Sequence, residues 1–253
     1  LDASELPITC LAGSLAGGGD QDAYAWTVDE VAARHTWTLE IEGAAGALTQ
    51  IEIYRVELTD DGQAVTAADR LLTHATRDGS WTVSDPFLLT QGRYVIGVSG
   101  AGGGGDGGSE YVVYLRPRSL SARRSQLQVN RAYQAGFELY DTQIRAADIS
   151  FTVDDEAAAF AWTLEVQAAL GSSPQVSLEG PSGTVTRLEF TGPGPSSMAN
   201  LGLGAGEYTL RVDPRGAPEA GPLRLALTSA GRISDGVEIE PNDRFEDATR
   251  FPL

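Results

Sequence analysis

The sequence contains no lysine, so each of its 18 basic residues is an arginine. The 35 acidic residues outnumber them and give the chain a formal net charge of −17 at pH 7. A surface of this sign repels nucleic-acid phosphates, which argues against a nucleic-acid partner. The missing lysine also excludes a phosphate-binding Walker loop, whose chemistry needs that side chain.

Cysteine and histidine are nearly absent, with Cys10 as the single thiol and His35 and His74 as the two imidazoles. One cysteine cannot form an intrachain disulfide, and we expect Cys10 to be a small buried apolar residue. Neither histidine lies near a nucleophile motif, so we predict no enzymatic activity. No apolar run approaches the roughly 20 residues of a membrane helix, which predicts no membrane insertion.

Short stretches of alternating apolar and polar residues dominate the chain, a pattern typical of β-strands. The clearest are residues 37–42, 50–58, 93–98 and 110–115. Helical periodicity is weak: residues 64–72 fit one short helix, and residues 154–160 fit a helical turn or a loop.

The second half of the sequence repeats the first. The matching landmarks are Trp37 with Trp162, Tyr94 with Tyr208, residues 111–115 with 223–227, and Asp22 with Asp148. The repeat predicts an all-β fold with two tandem jelly-roll-like β-sandwich domains plus a C-terminal linker tail. The domains are expected at residues 1–118 and 119–231, and the tail at 232–253.

The alternation also predicts which side chains lie in the core, because one face of each sheet must be buried. The expected core residues are Trp37, Leu39, Ile41, Trp162, Leu164 and Val166. In both halves a Gly-x-Tyr sequence precedes a strand, at Tyr94 and Tyr208. It predicts a tight turn followed by a tyrosine whose hydroxyl binds nearby backbone.

Two motifs carry the oxygen ligands that hard cations such as Ca²⁺ prefer. The first is Glu-x-Glu-Pro-Asn-Asp in the tail, with Glu238, Glu240, Asn242 and Asp243. The second is Gly-Asp-x-Asp-x-Tyr before a strand, with Asp20, Asp22 and Tyr24. Strand alternation would hold these last three residues on one side.

Together the two motifs resemble those of bacterial pre-peptidase C-terminal (PPC-type) domains, including the calcium-dependent β-sandwich modules of collagenases. The resemblance implies a calcium site whose linker half is Glu238, Glu240, Asn242 and Asp243 and whose strand half is Asp20 and Asp22. In that family the linker half precedes its own strand half, whereas here it follows the second domain. We therefore expect the tail to open a further repeat, and the sequence to be a mature or excised part of a longer protein. A metal-free acidic linker and turn is the alternative.

The resemblance further implies a non-catalytic interaction or structural module of a larger bacterial protein, placed extracellularly, on the cell surface or in the periplasm. Expected partners are a protein or polysaccharide of the cell surface or matrix, and neighbouring domains of the parent chain. One alternative is a pair of carbohydrate-binding modules, with Tyr54 and Trp81 as the candidate ligand-binding aromatics because sugar rings stack on aromatic faces. A second alternative is a domain of a secreted hydrolase.

Overall fold

The chain divides into two compact units, residues 1–120 and 121–253, called here domain one and domain two. The computed structural model describes residues 6–16, 19–43, 48–59, 65–101, 109–119, 136–141, 147–188, 195–213 and 222–233. The tail motif at 238–243 lies outside these residues. Among the residues described, no helix has the length and apolar composition needed to cross a membrane.

Domain one is a sandwich of two antiparallel sheets. Its described residues form β1 (Thr9–Leu15), β2 (Gln21–Val28), β3 (His35–Glu42), β4 (Leu48–Leu58), β5 (Val65–Thr76), β6 (Thr82–Val83), β7 (Phe87–Leu88), β8 (Gly92–Ala101) and β9 (Ser109–Ser119). One sheet has the strand order β1, β9, β3, β6, with β7 also paired to β3. The other has the order β2, β8, β4, β5.

Domain two repeats this arrangement, except that the single strand Ser196–Gly202 stands where domain one has β6 and β7. Its described residues form β10 (Gly136–Asp141), β11 (Ala147–Val153), β12 (Phe160–Ala168), β13 (Gln175–Gly180), β14 (Gly183–Leu188), β15 (Ser196–Gly202), β16 (Gly206–Asp213) and β17 (Leu223–Arg232). The sheet orders are β10, β17, β12, β15 and β11, β16, β13, β14. The chain crosses between the sheets in the manner of a jelly roll, which confirms the predicted fold class.

The two helical expectations had different outcomes. Residues 64–72 are not a helix, because most of them belong to β5, which pairs with β4 over most of its length. Hydrogen bonding to a strand distant in sequence outweighs the weak helical preference of this alanine-containing segment. In the second stretch, Ala157–Ala159 form one 3-10 turn, and Ala32–Arg34 form its counterpart in domain one.

The third strand of each domain, β3 or β12, carries a tryptophan that is buried in the core of the sandwich. Trp37 and Trp162 are 3% and 1% exposed, and all six predicted core residues are buried. The indole nitrogen of Trp37 donates to the carbonyl oxygen of Ala32 at 3.2 Å, and that of Trp162 donates to Ala157 at 3.1 Å. Each 3-10 turn is therefore tied to the core by a buried hydrogen bond.

An aspartate opens each of these turns. The carboxylate of Asp29 accepts the backbone N–H of Ala32 at 2.8 Å, and Asp154 accepts that of Ala157 at 2.8 Å. The side chains satisfy N–H groups that the short turn cannot bond internally. The same local structure thus recurs in both domains with the same residue types.

The predicted tyrosine contacts are also present in both domains. The hydroxyl of Tyr94 donates to the carbonyl of Thr90 at 2.9 Å, and the hydroxyl of Tyr208 donates to the carbonyl of Gly204 at 2.9 Å. Each ring lies in the core, at 1% and 5% exposure, and burial raises the pKa of both tyrosines. The bond closes the turn that enters β8 or β16.

We expect Tyr94→Phe and Tyr208→Phe each to lower the free energy of unfolding of its own domain by about 1 kcal/mol, because a turn carbonyl loses its donor. Urea unfolding followed by circular dichroism measures the loss. Tyr114→Phe is the matched control, since its ring lies on an outer sheet face. A loss in the control as large as in the other two would contradict the assignment.

Candidate functional site

The predicted strand half of the cation site is a hydrogen-bonded network inside domain one. Tyr111 of β9 donates its hydroxyl proton to Oδ2 of Asp22 at 2.5 Å, and the hydroxyl of Tyr24 lies 2.5 Å from that of Tyr111. Since Tyr111 has one proton to donate, Tyr24 donates to Tyr111. Burial raises the pKa of Tyr111 well above its usual range, and its hydrogen bonds to Asp22 and Tyr24 add to this effect.

A glycine makes room for this network. Gly13 of β1 lies directly opposite Tyr111, and a Cβ atom at Gly13 would lie 2.4 Å from the Tyr111 hydroxyl oxygen. Asp22 and Tyr24 reach the network from β2, so it links the two sheets of the sandwich. Sequence reasoning placed Asp22 and Tyr24 on one side but did not identify Tyr111 as their partner.

Asp20 stabilises the turn before β2. Its Oδ2 accepts the N–H of Ala16 at 2.7 Å and its Oδ1 accepts the N–H of Gln21 at 3.0 Å. In the part of the chain that the structure describes, no three His, Cys, Asp or Glu side chains come together as a metal-ligand group. Glu238, Glu240, Asn242 and Asp243 fall outside that part, so calcium binding stays a prediction.

The expected equivalence of Asp148 with Asp22 was wrong by one residue. Asp22 lies opposite Val98, whereas Asp148 lies opposite Arg211, the residue before Val212. Because successive strand residues point to opposite faces, this offset moves Asp148 to the outer face, where it pairs with Arg211 at 3.1 Å. In the strand register Ala147 holds the place of Asp22, so in the described part of domain two no carboxylate occupies that position.

Trp81, one of the two candidate ligand-binding aromatics, lies on the outer face of the first sheet of domain one. It directly precedes β6 and is 46% exposed, and Val83 beside it is 48% exposed. The ring of Tyr114, on β9, has its centroid 5.7 Å from that of Trp81, at an interplanar angle of 46°. We call Trp81, Val83 and Tyr114 the outer aromatic patch.

Charged groups adjoin the outer aromatic patch. Glu40 of β3 lies between Val83 and Tyr114 in the sheet, and its carboxylate is 2.5 Å from Nε of Arg116. The Arg116 guanidinium also lies over the Tyr114 ring, 5.4 Å from its centroid. The apolar surface of the patch therefore borders the ion pair of Glu40 and Arg116, whose charges offset each other.

Cys10 borders the same patch and contradicts our expectation of a buried thiol. It lies opposite Tyr114 in the pairing of β1 with β9, and it is exposed. Its outward position follows from alternation, since the neighbours of Tyr114 on β9, Val113 and Leu115, fill the core.

Domain two lacks this patch. Glu165 is the counterpart of Glu40, and its sheet neighbours are Ser197 and Ala226, at the places of Val83 and Tyr114. The fold itself therefore does not require aromatic side chains on this face.

Tyr54 lines a groove on the outer face of the second sheet of domain one, where the structure leaves it half-buried. The groove has a volume of about 320 Å³. Ala23 and Gly97 are among the residues that line it, and so are Glu52, Val65 and Ala68. We call this the Tyr54 groove. Tyr54 and Trp81, the two aromatics singled out by sequence, thus lie on different sheets and do not share a site.

The two histidines of the chain are buried or half-buried within domain one. His35 is 3% exposed, and its Nδ1 lies 2.8 Å from the carbonyl oxygen of Val31. His74 of β5 is half-buried, and desolvation lowers its pKa. Neither imidazole belongs to the outer aromatic patch or to the Tyr54 groove.

No protein-family model matches the chain, and no curated protein matches its sequence. Among solved structures, it is similar to the PBSX exported protein XepA, with 14% identity, 90% of this chain and 88% of that chain covered, and a TM-score of 0.33. It is also similar to the tandem CBM51 modules of a family 98 glycoside hydrolase from Streptococcus pneumoniae, at 10% identity, with 86% and 88% covered and a TM-score of 0.29. A third similarity is to the N-terminal CBM22 tandem domain of Paenibacillus barcinonensis Xyn10C, at 9% identity, with 88% and 91% covered and a TM-score of 0.29. These values are too low to carry an argument about function.

We expect Tyr111→Phe to destabilise domain one by about 1–3 kcal/mol, because the half-buried Asp22 carboxylate loses a donor. In an Asp22→Ala background the same substitution should cost less, since the acceptor is already gone. Urea unfolding of the four proteins gives the coupling energy. Equal costs in both backgrounds would show that the hydrogen bond does not stabilise the domain.

Proposed function

We propose that the chain is a non-catalytic binding module of a larger exported bacterial protein, and that domain one binds a neutral polysaccharide through the outer aromatic patch. The observation that carries this proposal is the exposed Trp81 ring beside Tyr114, on a sheet face that is polar or small in domain two. Exposed apolar surface rimmed by polar groups is characteristic of interaction sites.

The chemistry of the patch suits a sugar chain. The C–H groups of a sugar ring present an apolar face to the electron-rich face of an aromatic ring. Two rings inclined at 46° favour consecutive sugars that are turned relative to each other, rather than a flat crystalline surface. Arg116, whose side chain is 41% exposed, supplies N–H donors at the edge of the patch for sugar hydroxyls.

Charge narrows the ligand further. The formal net charge of −17 repels anionic polysaccharides, as it repels nucleic acids. At the patch the carboxylate of Glu40 is already paired with Arg116, so the charge of Glu40 is offset. A neutral polysaccharide is the partner that meets both conditions.

Domain two takes a different role in this proposal. Its core is equivalent, but its corresponding outer face carries Ser197 and Ala226. We assign domain two a structural role in the parent protein. Membership of the PPC-type domains, with the tail opening a further repeat, belongs to the proposal and is supported by the motifs at 19–24 and 238–243.

The absence of catalysis is supported by where the chain's two histidines lie. His35 contacts the backbone of its own turn, and His74 is desolvated within the sandwich. Neither is placed to activate a nucleophile at either outer surface.

We expect Trp81→Ala to weaken binding of a neutral polysaccharide at least tenfold, and Tyr114→Ala to do so less strongly, since an anchoring aromatic of a small interface contributes more than about 1 kcal/mol. Screening on an array of neutral and acidic glycans identifies the ligand, and calorimetry with that glycan measures the change. A fluorophore attached to Cys10, beside Tyr114, gives a second signal.

Val31→Ala is the control for this experiment, because Val31 is 42% exposed but lies outside the patch. Its affinity should equal that of the wild-type chain. Binding to acidic glycans alone, no binding to any glycan, or binding to a protein partner that survives Trp81→Ala would each overturn the proposal.

Calcium binding rests on the sequence motifs. If Asp20, Asp22 and the tail carboxylates hold Ca²⁺, the melting temperature should be higher in millimolar calcium than in EDTA, because a ligand of the folded state stabilises it. Glu240→Gln should abolish the difference, whereas Asp148→Asn in domain two should leave it unchanged. The same melting temperature with and without calcium would leave the metal-free acidic linker as the correct interpretation.

A further inference from the structure

A second open surface of domain one, the Tyr54 groove, lies on the sheet opposite the outer aromatic patch. The pairing of β2, β8 and β4 sets Ala23, Gly97 and Glu52 side by side across this sheet. In the adjacent row Tyr54 is next to Val95. The ring of Tyr54 lies close to Gly97, since a Cβ atom there would be 3.8 Å from its Cε2.

Domain two fills the same surface with ion pairs. Arg211 occupies the place of Gly97, and it lies opposite Asp148, which occupies the place of Ala23. Its guanidinium is 3.1 Å from Asp148 and 3.1 Å from Glu179, the counterpart of Tyr54. The groove in domain one therefore exists because two small residues and one aromatic stand where domain two has three charged side chains.

The polar wall of the groove is electrically balanced. Oε2 of Glu52 accepts the hydroxyl of Tyr54 at 2.6 Å, and Oε1 accepts Arg70 at 2.9 Å. The hydrogen bond from Tyr54, together with that from Arg70, lowers the pKa of Glu52, so the carboxylate is ionised and paired. A carboxylate offers about four acceptor positions, and Tyr54, Arg70 and Gln50 use three of them, which leaves about one for a ligand.

The remaining surface is mostly apolar and small. Val65, Val95 and Ala68 line it, together with the small polar residue Ser99. A volume of about 320 Å³ is at the lower end of the range for small-molecule sites. The ligand that fits has one apolar face, several hydroxyls and no net charge.

We propose that the Tyr54 groove binds a single neutral pyranose ring, stacked on Tyr54 with one of its hydroxyls donating to Glu52. This goes beyond the polysaccharide site proposed above, because the residues, the sheet and the size of the ligand all differ. The outer aromatic patch is an open surface suited to a chain, whereas the groove accommodates a terminal sugar.

The test uses the full chain and a panel of methyl glycosides of glucose, galactose, mannose, xylose and N-acetylglucosamine. Calorimetry measures affinity, and two-dimensional NMR locates the perturbed amides. We expect at least one glycoside to bind and to shift the amides of Gly97 and Tyr54. Tyr54→Ala should weaken that binding at least tenfold.

The decisive variant transplants the arrangement of domain two into domain one, as Ala23→Asp, Tyr54→Glu and Gly97→Arg together. The same three residue types already coexist on this fold, and an unchanged circular dichroism spectrum and a cooperative melt verify folding. Glycoside binding should be lost in this variant. It should persist in Trp81→Ala, and a fluorophore on Cys10 should not respond to the glycoside.

Three outcomes would overturn the inference: no glycoside binds, binding survives the triple substitution, or binding is lost in Trp81→Ala. The last result would assign the monosaccharide to the outer aromatic patch, and so support the proposed function while refuting the groove. Conversely, glycoside binding that requires Tyr54 but not Trp81, with no polysaccharide binding, would uphold the groove and refute the patch.

Discussion

Each sandwich depends on the hydrogen bond that a buried tryptophan indole N–H donates to a backbone carbonyl. Trp37 and Trp162 lie in the core, where an unbonded donor would cost about 1–3 kcal/mol. Each donates to a carbonyl of the 3-10 turn at the crossing from one sheet to the other. The turn is held by an aspartate, Asp29 or Asp154, so core, turn and sheet crossing are fixed together. Because these hydrogen bonds use only core and turn residues, the residues on the outer sheet faces can differ between the domains.

The differences between the two domains lie mainly on those outer faces. Where domain one has Gly97 in a groove, domain two has Arg211 bridging two carboxylates. Where domain one has the half-buried Tyr114 on its outer face, domain two has Ala226. Exposed ion pairs contribute little to stability, generally 0–1 kcal/mol. Replacing them by small or aromatic residues therefore costs the fold little and leaves a surface on which a ligand can bind.

Much of the fold could be predicted because its determinants are local. Alternation located the strands, and the Gly-x-Tyr sequence led to the hydroxyl contacts of Tyr94 and Tyr208. The sites depend on register between strands far apart in sequence, which a single sequence does not contain. A one-residue offset was enough to place Asp148 wrongly, since it reverses the face. Tyr111 was missed as the partner of Asp22 for the same reason, and the exposure of Cys10 followed from which residues of β9 filled the core.

Two domains with one fold serve as controls for each other. A feature that both share, such as the tryptophan bond or the aspartate before the 3-10 turn, is explained by the fold. For a feature present in one domain alone, exposure to solvent decides whether it serves packing or binding. The network of Asp22 and Tyr111 belongs to domain one, but Tyr111 is buried and Asp22 half-buried, so the network is another way to fill the space between two sheets. Trp81 belongs to domain one and is exposed, where no packing requirement accounts for an indole. By this reasoning the outer aromatic patch and the Tyr54 groove, rather than the paired aspartates, are the surfaces of the described chain where binding is to be sought.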